Sequence, residues 1–208
     1  MRRIVLIGAG GFGREAAWVV ARTNAVRPQF ELLGFCDDAA EKRAGRCGDY
    51  PLLGPLEEVS GRFGKVGFFC AIGDNRIRKR VMLDAVNMGH EPVTLLDPGA
   101  LIAPDAVIGA GSYAGMGSVI SVGARLGQGV LVNHQVCVGH DVEIGEFAQL
   151  CPGVCVSGGC RIGEGAFLGT LAGTIPLKRV GAWATVGAGS VMLRDVADNT
   201  TVVRLSRS

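Results

Sequence analysis

Aromatic residues are scarce in this chain of 208 residues: Phe, Tyr and Trp together make up 6%, against 48% hydrophobic residues overall. That balance suits a core of stacked aliphatic side chains rather than of packed rings. Charge of one sign is lacking too, with 21 Lys and Arg against 19 Asp and Glu and a net charge of +2. A balance so near neutral excludes the basic footprint of a nucleic-acid binder or of a protein held on an anionic membrane. No stretch reaches the eighteen or more apolar residues of a membrane span. Arg2 and Arg3 are followed by a strand-like run and not by a signal-peptide core and cleavage site, so the expected compartment is the cytoplasm. None of the seven cysteines forms a CxxC pair. Cys137, Cys151, Cys155 and Cys160 fall where small buried residues are wanted, which reads as reduced core thiols and no metal site.

What the chain has in quantity is glycine, 33 residues, and a period of six. Every sixth residue from Ile102 to Met192 lies in one phase, and fourteen of the sixteen are Ile, Leu, Val or Met; Ala114 and Thr174 are the others. The residue after each is often glycine, as at Gly109, Gly127, Gly145 and Gly163. Two residues before each sits something small or β-branched, such as Ser112, Ala124 and Val136. Six matches neither the helical nor the strand period. It is the hexapeptide repeat of a parallel β-helix, whose coils of roughly eighteen residues stack one aliphatic column that no single coil could bury. The glycine after each aliphatic residue is expected to relieve the backbone where the chain turns a corner.

Ahead of the repeat the chain reads as alternating strands and helices: strands near 3–7, 30–36 and 66–72, helices near 11–22 and 75–88, and a further strand near 92–96. That order implies a small Rossmann-like parallel sheet. Asp97, Pro98 and Gly99 mark a turn, giving an α/β domain over 1–97, an all-β left-handed β-helix over 98–193 and a polar tail over 194–208. Gly8, Gly10 and Gly13 match GxGxxG between a strand and a helix, the setting of a phosphate-binding turn. Asp37 and Asp38 end the second strand, where a ribose or base contact is expected. About 95 residues make half a dinucleotide fold, which favours a mononucleotide diphosphate. A second glycine turn runs through Gly73 to Asn75. The helix after it carries Arg76, Arg78, Lys79 and Arg80, which could face a phosphate but for the most part read as a solvated face.

Three histidines remain. His90, in a loop between helix and strand, reads as structural. His134 and His140 lie in the repeat, and nothing in a β-helix corner calls for an imidazole. His140 is followed by Asp141, and a carboxylate beside a ring fixes its tautomer and stabilises the imidazolium that proton removal creates. His134 lies one hexad earlier and so on a different face.

The chain resembles the left-handed β-helix acyltransferases of the sialic acid O-acetyltransferase type. It is most similar to those that acetylate nucleotide-linked 4-amino-4,6-dideoxy sugars on nitrogen. The resemblance is carried by Gly8 to Gly11, Gly34 to Asp38, Ala71 to Asn75, Val132 to His134 and Gly139 to Phe147. It implies a homotrimer with acetyl-CoA lying in the groove between neighbouring helices, His140 as general base and Asp141 as its partner. It further implies a nucleotide amino sugar held by Gly10, Gly11, Phe12, Asp37, Asp38, Gly73 and Asn75, with His134 beside it. Gly158, Thr170 and Ala188 would line the cofactor side, Gly158 by its backbone amide. Gln149 stands where many relatives carry a second histidine, and Phe12 replaces a polar residue common at the glycine turn. Sugar O-acetylation with the same base, a non-catalytic sugar-nucleotide-binding or scaffold protein, and a zinc hydratase needing three interface histidines are the rival readings.

Overall fold

The computed structural model describes residues 1–37 and 45–203, and Asp38 lies outside the described residues. Two compact units divide the chain, Met1–Pro98 and Gly99–Ser208.

In the first unit the buried run Ile4 to Ile7 supplies the central strand. β1 (Arg2–Ile7), β2 (Phe30–Cys36), a short antiparallel pair β3 (Arg46–Cys47) and β4 (Tyr50–Pro51), then β5 (Gly67–Cys70) and β6 (Glu91–Pro92) are the strands; α1 (Gly11–Val26), α2 (Leu56–Phe63) and α3 (Asn75–Asn87) are the helices. β2, β1, β5 and β6 form one sheet in that order, all parallel. Val5, Leu6, Phe68 and Phe69 are fully buried in its middle. The strand read near 92–96 is in fact two, Glu91–Pro92 and Leu95–Leu96.

The second unit is a parallel β-helix whose strands pair with those eighteen residues on. A first face begins with Leu101–Ile102 and Val119–Ile120 and continues with Cys137–Val138 and Cys155–Val156. A second contains Val107–Ile108, Arg125–Leu126, Glu143–Ile144, Arg161–Ile162 and Arg179–Val180. A third contains Tyr113–Ala114, Leu131–Val132, Gln149–Leu150, Phe167–Leu168 and Thr185–Val186. The predicted inward column is buried from Ala114 to Met192, and only Ile102 and Ile108 of the first coil are half-buried. Past Met192 the hexad pattern fades, but the coil does not end there: Thr201–Val202 still pairs with Thr185–Val186.

The corners correct the reading of the glycines. Positive φ recurs at every sixth residue from Gly111 to Gly189, two places beyond the glycine that follows each aliphatic residue. Glycines at the earlier place have ordinary φ. They are required because a Cβ on Gly145 would lie 2.5 Å from Glu164 N, and one on Gly127 would lie 2.7 Å from Glu146 N. Close approach of successive coils, not left-handed backbone, selects them. Of the positive-φ corner places eight are glycine, while Gln135, Asp141, Phe147, Leu171, Leu177 and Trp183 occupy the rest. Each such L-residue carries about 1–2 kcal/mol of steric cost.

Two of the cysteines also depart from expectation. Cys36, Cys47, Cys70, Cys151 and Cys160 are buried, but Cys137 and Cys155 are exposed, because they precede the inward residue of their strands and so point outward from the first face in register with each other.

Candidate active site

His140 stands at the corner that follows the first face. Its Nδ1 lies 2.9 Å from Asp141 Oδ2. A carboxylate only accepts, so Nδ1 carries the proton and Nε2 keeps its lone pair. Asp141 reaches the ring because its own backbone is left-handed, φ 57°, a conformation Asp tolerates better than most residues. The imidazole extends over the next coil: a Cβ on residue 158 would run into Nε2, Cε1 and Cδ2 of His140. Gly158 thus makes the seat on which the ring rests. Its N–H donates to none of the described residues, while its carbonyl accepts from Leu177 N at 3.0 Å. A base with a fixed tautomer and an open amide beside it can take a proton from a nucleophile and hold the oxyanion its attack creates.

His134 lies at a different corner, between the third and first faces. Its ring packs edge-on to Tyr113 with centroids 6.4 Å apart, and sits over Gly115. Thr170 and Ala188 are exposed at equivalent places two and three coils on, in the column of His134 and not in that of His140. Gln149 is on the third face between Leu131 and Phe167, with its Nε2 directed at Cys151 Sγ. Within one chain the structure therefore brings His140, Asp141 and Gly158 together and leaves His134, Gln149, Thr170 and Ala188 elsewhere.

The first unit has its own site at the carboxyl ends of β1, β2 and β5. Gly8 has φ 102°, and a Cβ on Gly13 would strike the Gly8 carbonyl, so the turn into α1 is tight. Gly10 and Gly11 have open space above them and no side chain caps α1, which leaves amides of its first turn facing outward. Phe12 does not face that space alone: its ring packs edge-on against Phe69 at 6.0 Å. Asp37 fastens the turn, its Oδ2 accepting from Ala9 N at 2.8 Å. A cavity of about 410 Å³ opens beside it, lined by Gly8, Asp37, Glu57, Ile72, Asp84 and Met88 among others.

The second glycine turn is held by one of the four cations whose helix face reads, for the most part, as solvated. Arg78 is fully buried. Its guanidinium donates to Ile72 O at 3.0 Å, Gly73 O at 3.2 Å and Asn75 Oδ1 at 2.9 Å. Burial pulls its pKa down to about 10 and pushes the neighbouring Cys70 thiol up to about 12. Asn75 is thereby committed to the turn, and Gly73 stays exposed. The only cue in the sequence was the helical spacing that carries Arg78 inward with Met82 and Ala85. His90 is buried, accepting from Val66 N at Nδ1 and facing Ser60 Oγ at 2.8 Å, a structural histidine.

Among the described residues no three His, Cys, Asp or Glu side chains gather as a metal-ligand set, and no helix is long and apolar enough to cross a membrane. The PglD N-terminal domain family model matches residues 3–84. The acetyltransferase domain of PglB from Neisseria gonorrhoeae FA1090, solved with acetyl coenzyme A, is 32% identical with a TM-score of 0.88, covering 98% of this chain and 96% of that one. The chain belongs to the PglD-type left-handed β-helix sugar acetyltransferases. It is accordingly an acyltransferase, and its solenoid is the left-handed one of this family. PerB from Caulobacter crescentus, solved with CoA and GDP-perosamine, is 28% identical with a TM-score of 0.88, covering 97% of this chain and 93% of that one. WeeI from Acinetobacter baumannii AYE, at 24% identity and TM-score 0.87, shares the fold. No curated protein matches the chain.

Proposed function

We propose that this acyltransferase moves the acetyl group of acetyl-CoA to the amino group of a nucleotide diphosphate-linked amino sugar, of the 4-amino-4,6-dideoxy kind. The observation that carries the reading is the His140 ring, tethered at Nδ1 by Asp141 and resting by Nε2 over Gly158. The neutral amine attacks the thioester carbonyl, and His140 Nε2 accepts the proton that the nitrogen loses. The Gly158 N–H stabilises the carbonyl oxygen as it becomes an oxyanion. Collapse of the tetrahedral intermediate breaks the C–S bond, and the imidazolium returns the proton to the departing sulfur, releasing CoA thiol and the amide. The base His140 is paired with the carboxylate of Asp141 and not with a thiol, so transfer is direct and needs no acetyl-enzyme.

The relatives solved with GDP-perosamine support a nucleotide sugar as acceptor. The turn at Gly8 to Gly11 supplies amides for its diphosphate. The first face of the helix supports a homotrimer: Leu101, Val119, Cys137, Cys155, Gly173 and Val191 give it an uncharged outer surface, whereas the second face carries Arg125, Glu143, Arg161 and Arg179. A threefold axis facing that apolar surface sets the His140 corner of one protomer beside the His134 corner of the next, so that His134, Thr170 and Ala188 join the cleft from the neighbour. Acetyl-CoA and free thiols both suit the cytoplasm. The test is CoA thiol release with a panel of UDP-, dTDP- and GDP-linked amino sugars. Turnover of one 4-amino sugar is expected; no release with any of them removes the assignment.

A further inference from the structure

Cys137 and Cys155 are the two exposed thiols among seven, and they stand side by side on adjacent coils. Each is the outward residue of its two-residue strand, ahead of the inward Val138 and Val156, so both side chains leave the first face on the same side. The ladder fixes them there. Cys137 N donates to Val154 O and Gly139 N to Val156 O, both at 2.8 Å, so the hydrogen bonds grip the partner strand on either side of Cys155. Adjacent strands lie roughly 4.8 Å apart, within the span of about 4.4–6.8 Å that separates the Cα atoms of a disulfide. The next places in register are Val119 and Gly173, neither of which offers a competing thiol. The other five cysteines are buried.

The two thiols are not equivalent. Partial burial, and then the adjacent Cys137, push the Cys155 thiol up from its ordinary range. Cys155 is thereby suited to resolve an oxidised neighbour, which leaves the first attack to Cys137. Three residues after Cys137 comes His140, and three after Cys155 comes Gly158, on which the His140 ring rests. We propose that Cys137 and Cys155 are a redox modification site, closed by hydrogen peroxide into a disulfide across two coils, and that closure shifts the seat of His140. The Cys137 thiolate attacks one peroxide oxygen and the O–O bond breaks, giving a sulfenic acid and hydroxide. The Cys155 sulfur attacks the sulfenic sulfur, the S–S bond forms, the S–O bond breaks, and water leaves with the Cys155 proton. Two thiols lose two electrons in all, and one peroxide becomes two waters. The bond brings the Cβ atoms to about 3.8 Å, closer than the strands that carry them, so the coils bearing base and amide are drawn together. The effect on the site rests on the reading above, in which His140 is the base and the first face turns toward a threefold axis. Peroxide is small enough to enter such an axis, where larger oxidants are kept out.

The experiment exposes the wild-type protein, Cys137→Ser and Cys155→Ser to hydrogen peroxide, removes it, and unfolds each sample in an alkylating reagent before mass spectrometry. Expected in the wild type is a loss of two mass units, a linked Cys137–Cys155 peptide pair within one chain, and reversal by dithiothreitol. Cys155→Ser is expected to give a sulfenic acid at Cys137 that dimedone traps, with no linked pair, and serine is close enough in size that both variants fold. Turnover of the oxidised wild type is expected to fall by about tenfold or more, as for a displaced catalytic group, and to return on reduction, while oxidised Cys155→Ser keeps its rate. Full alkylation of both cysteines after peroxide overturns the site, as does a link between chains. A linked pair with undiminished turnover overturns the effect on His140. Failure of every amino sugar to turn over, with the linked pair present, strikes the acceptor assignment and leaves the disulfide standing.

Discussion

His140, the proposed base, stands on an exposed corner, and two residues from different coils hold its ring. His140→Ala and His140→Asn are expected to lower thiol release by 10² or more, in line with the contribution of a positioned general base, while the trimer mass persists. Asp141→Asn keeps the backbone, because Asn tolerates φ 57°. It offers Nδ1 a neutral partner in place of a charged one, so kcat falls and the KM values stay. Gly158→Ala is the sharper test. Residue 158 has an ordinary φ, so alanine strains no backbone there, yet its methyl would displace Nε2 and Cε1 of His140. A drop in kcat of about 100-fold is expected from that displacement, with an unchanged far-ultraviolet circular dichroism spectrum. Full activity in Gly158→Ala would show that the ring works from another position. At Cys70 the prediction concerns reactivity. Its thiol is pushed up to about 12 by burial, so at pH 8 it stays protonated in the native protein, and an alkylating reagent reaches it only after unfolding.

At the scale of elements, the turn between β5 and α3 is built around one buried cation, and the β-helix around coil-to-coil contact. Arg78→Met leaves the carbonyls of Ile72 and Gly73 without their donor. It also strips the buried Asn75 Oδ1 of its donor, and stability is expected to fall by about 1–3 kcal/mol for that unsatisfied group, read from the denaturant midpoint. Gly145→Ala forces a methyl against Glu164 N and is expected to cost about 1–3 kcal/mol by overpacking. Much of this architecture was legible beforehand. A stacked column repeats one environment sixteen times, so the inward positions announce themselves, and the β-α-β order with its glycine turn does likewise. The two uses of glycine were not legible, since close approach and positive φ select the same residue type two places apart. Arg78 was hidden because cations on a helix ordinarily solvate, and only the assembled turn reveals the carbonyls that hold it. Cys137 and Cys155 were misread because a run of small residues does not say which of a strand's two sides each one faces. The pairing of His140 with Asp141 was legible as neighbours in sequence, but the seat on Gly158 required the coils to be stacked.

For the whole molecule the proposed trimer makes the number of chains that meet the quantity to test. Val119→Asp places a charge in the middle of the uncharged face; if the proposed trimer builds its cleft from two protomers, the variant is expected to lose both the trimer, by light scattering, and turnover. A monomeric Val119→Asp protein that retained full activity would break the link between assembly and chemistry. The solenoid also behaves as a ruler. Its rungs are spaced at roughly 4.8 Å, the separation of adjacent strands. Excision of eighteen residues would shorten the channel by one rung and leave every face in phase, whereas excision of six would turn everything downstream by a third of a revolution. The reach available to a bound thioester is therefore set in whole steps, and a lineage can lengthen or shorten it without redesigning the walls.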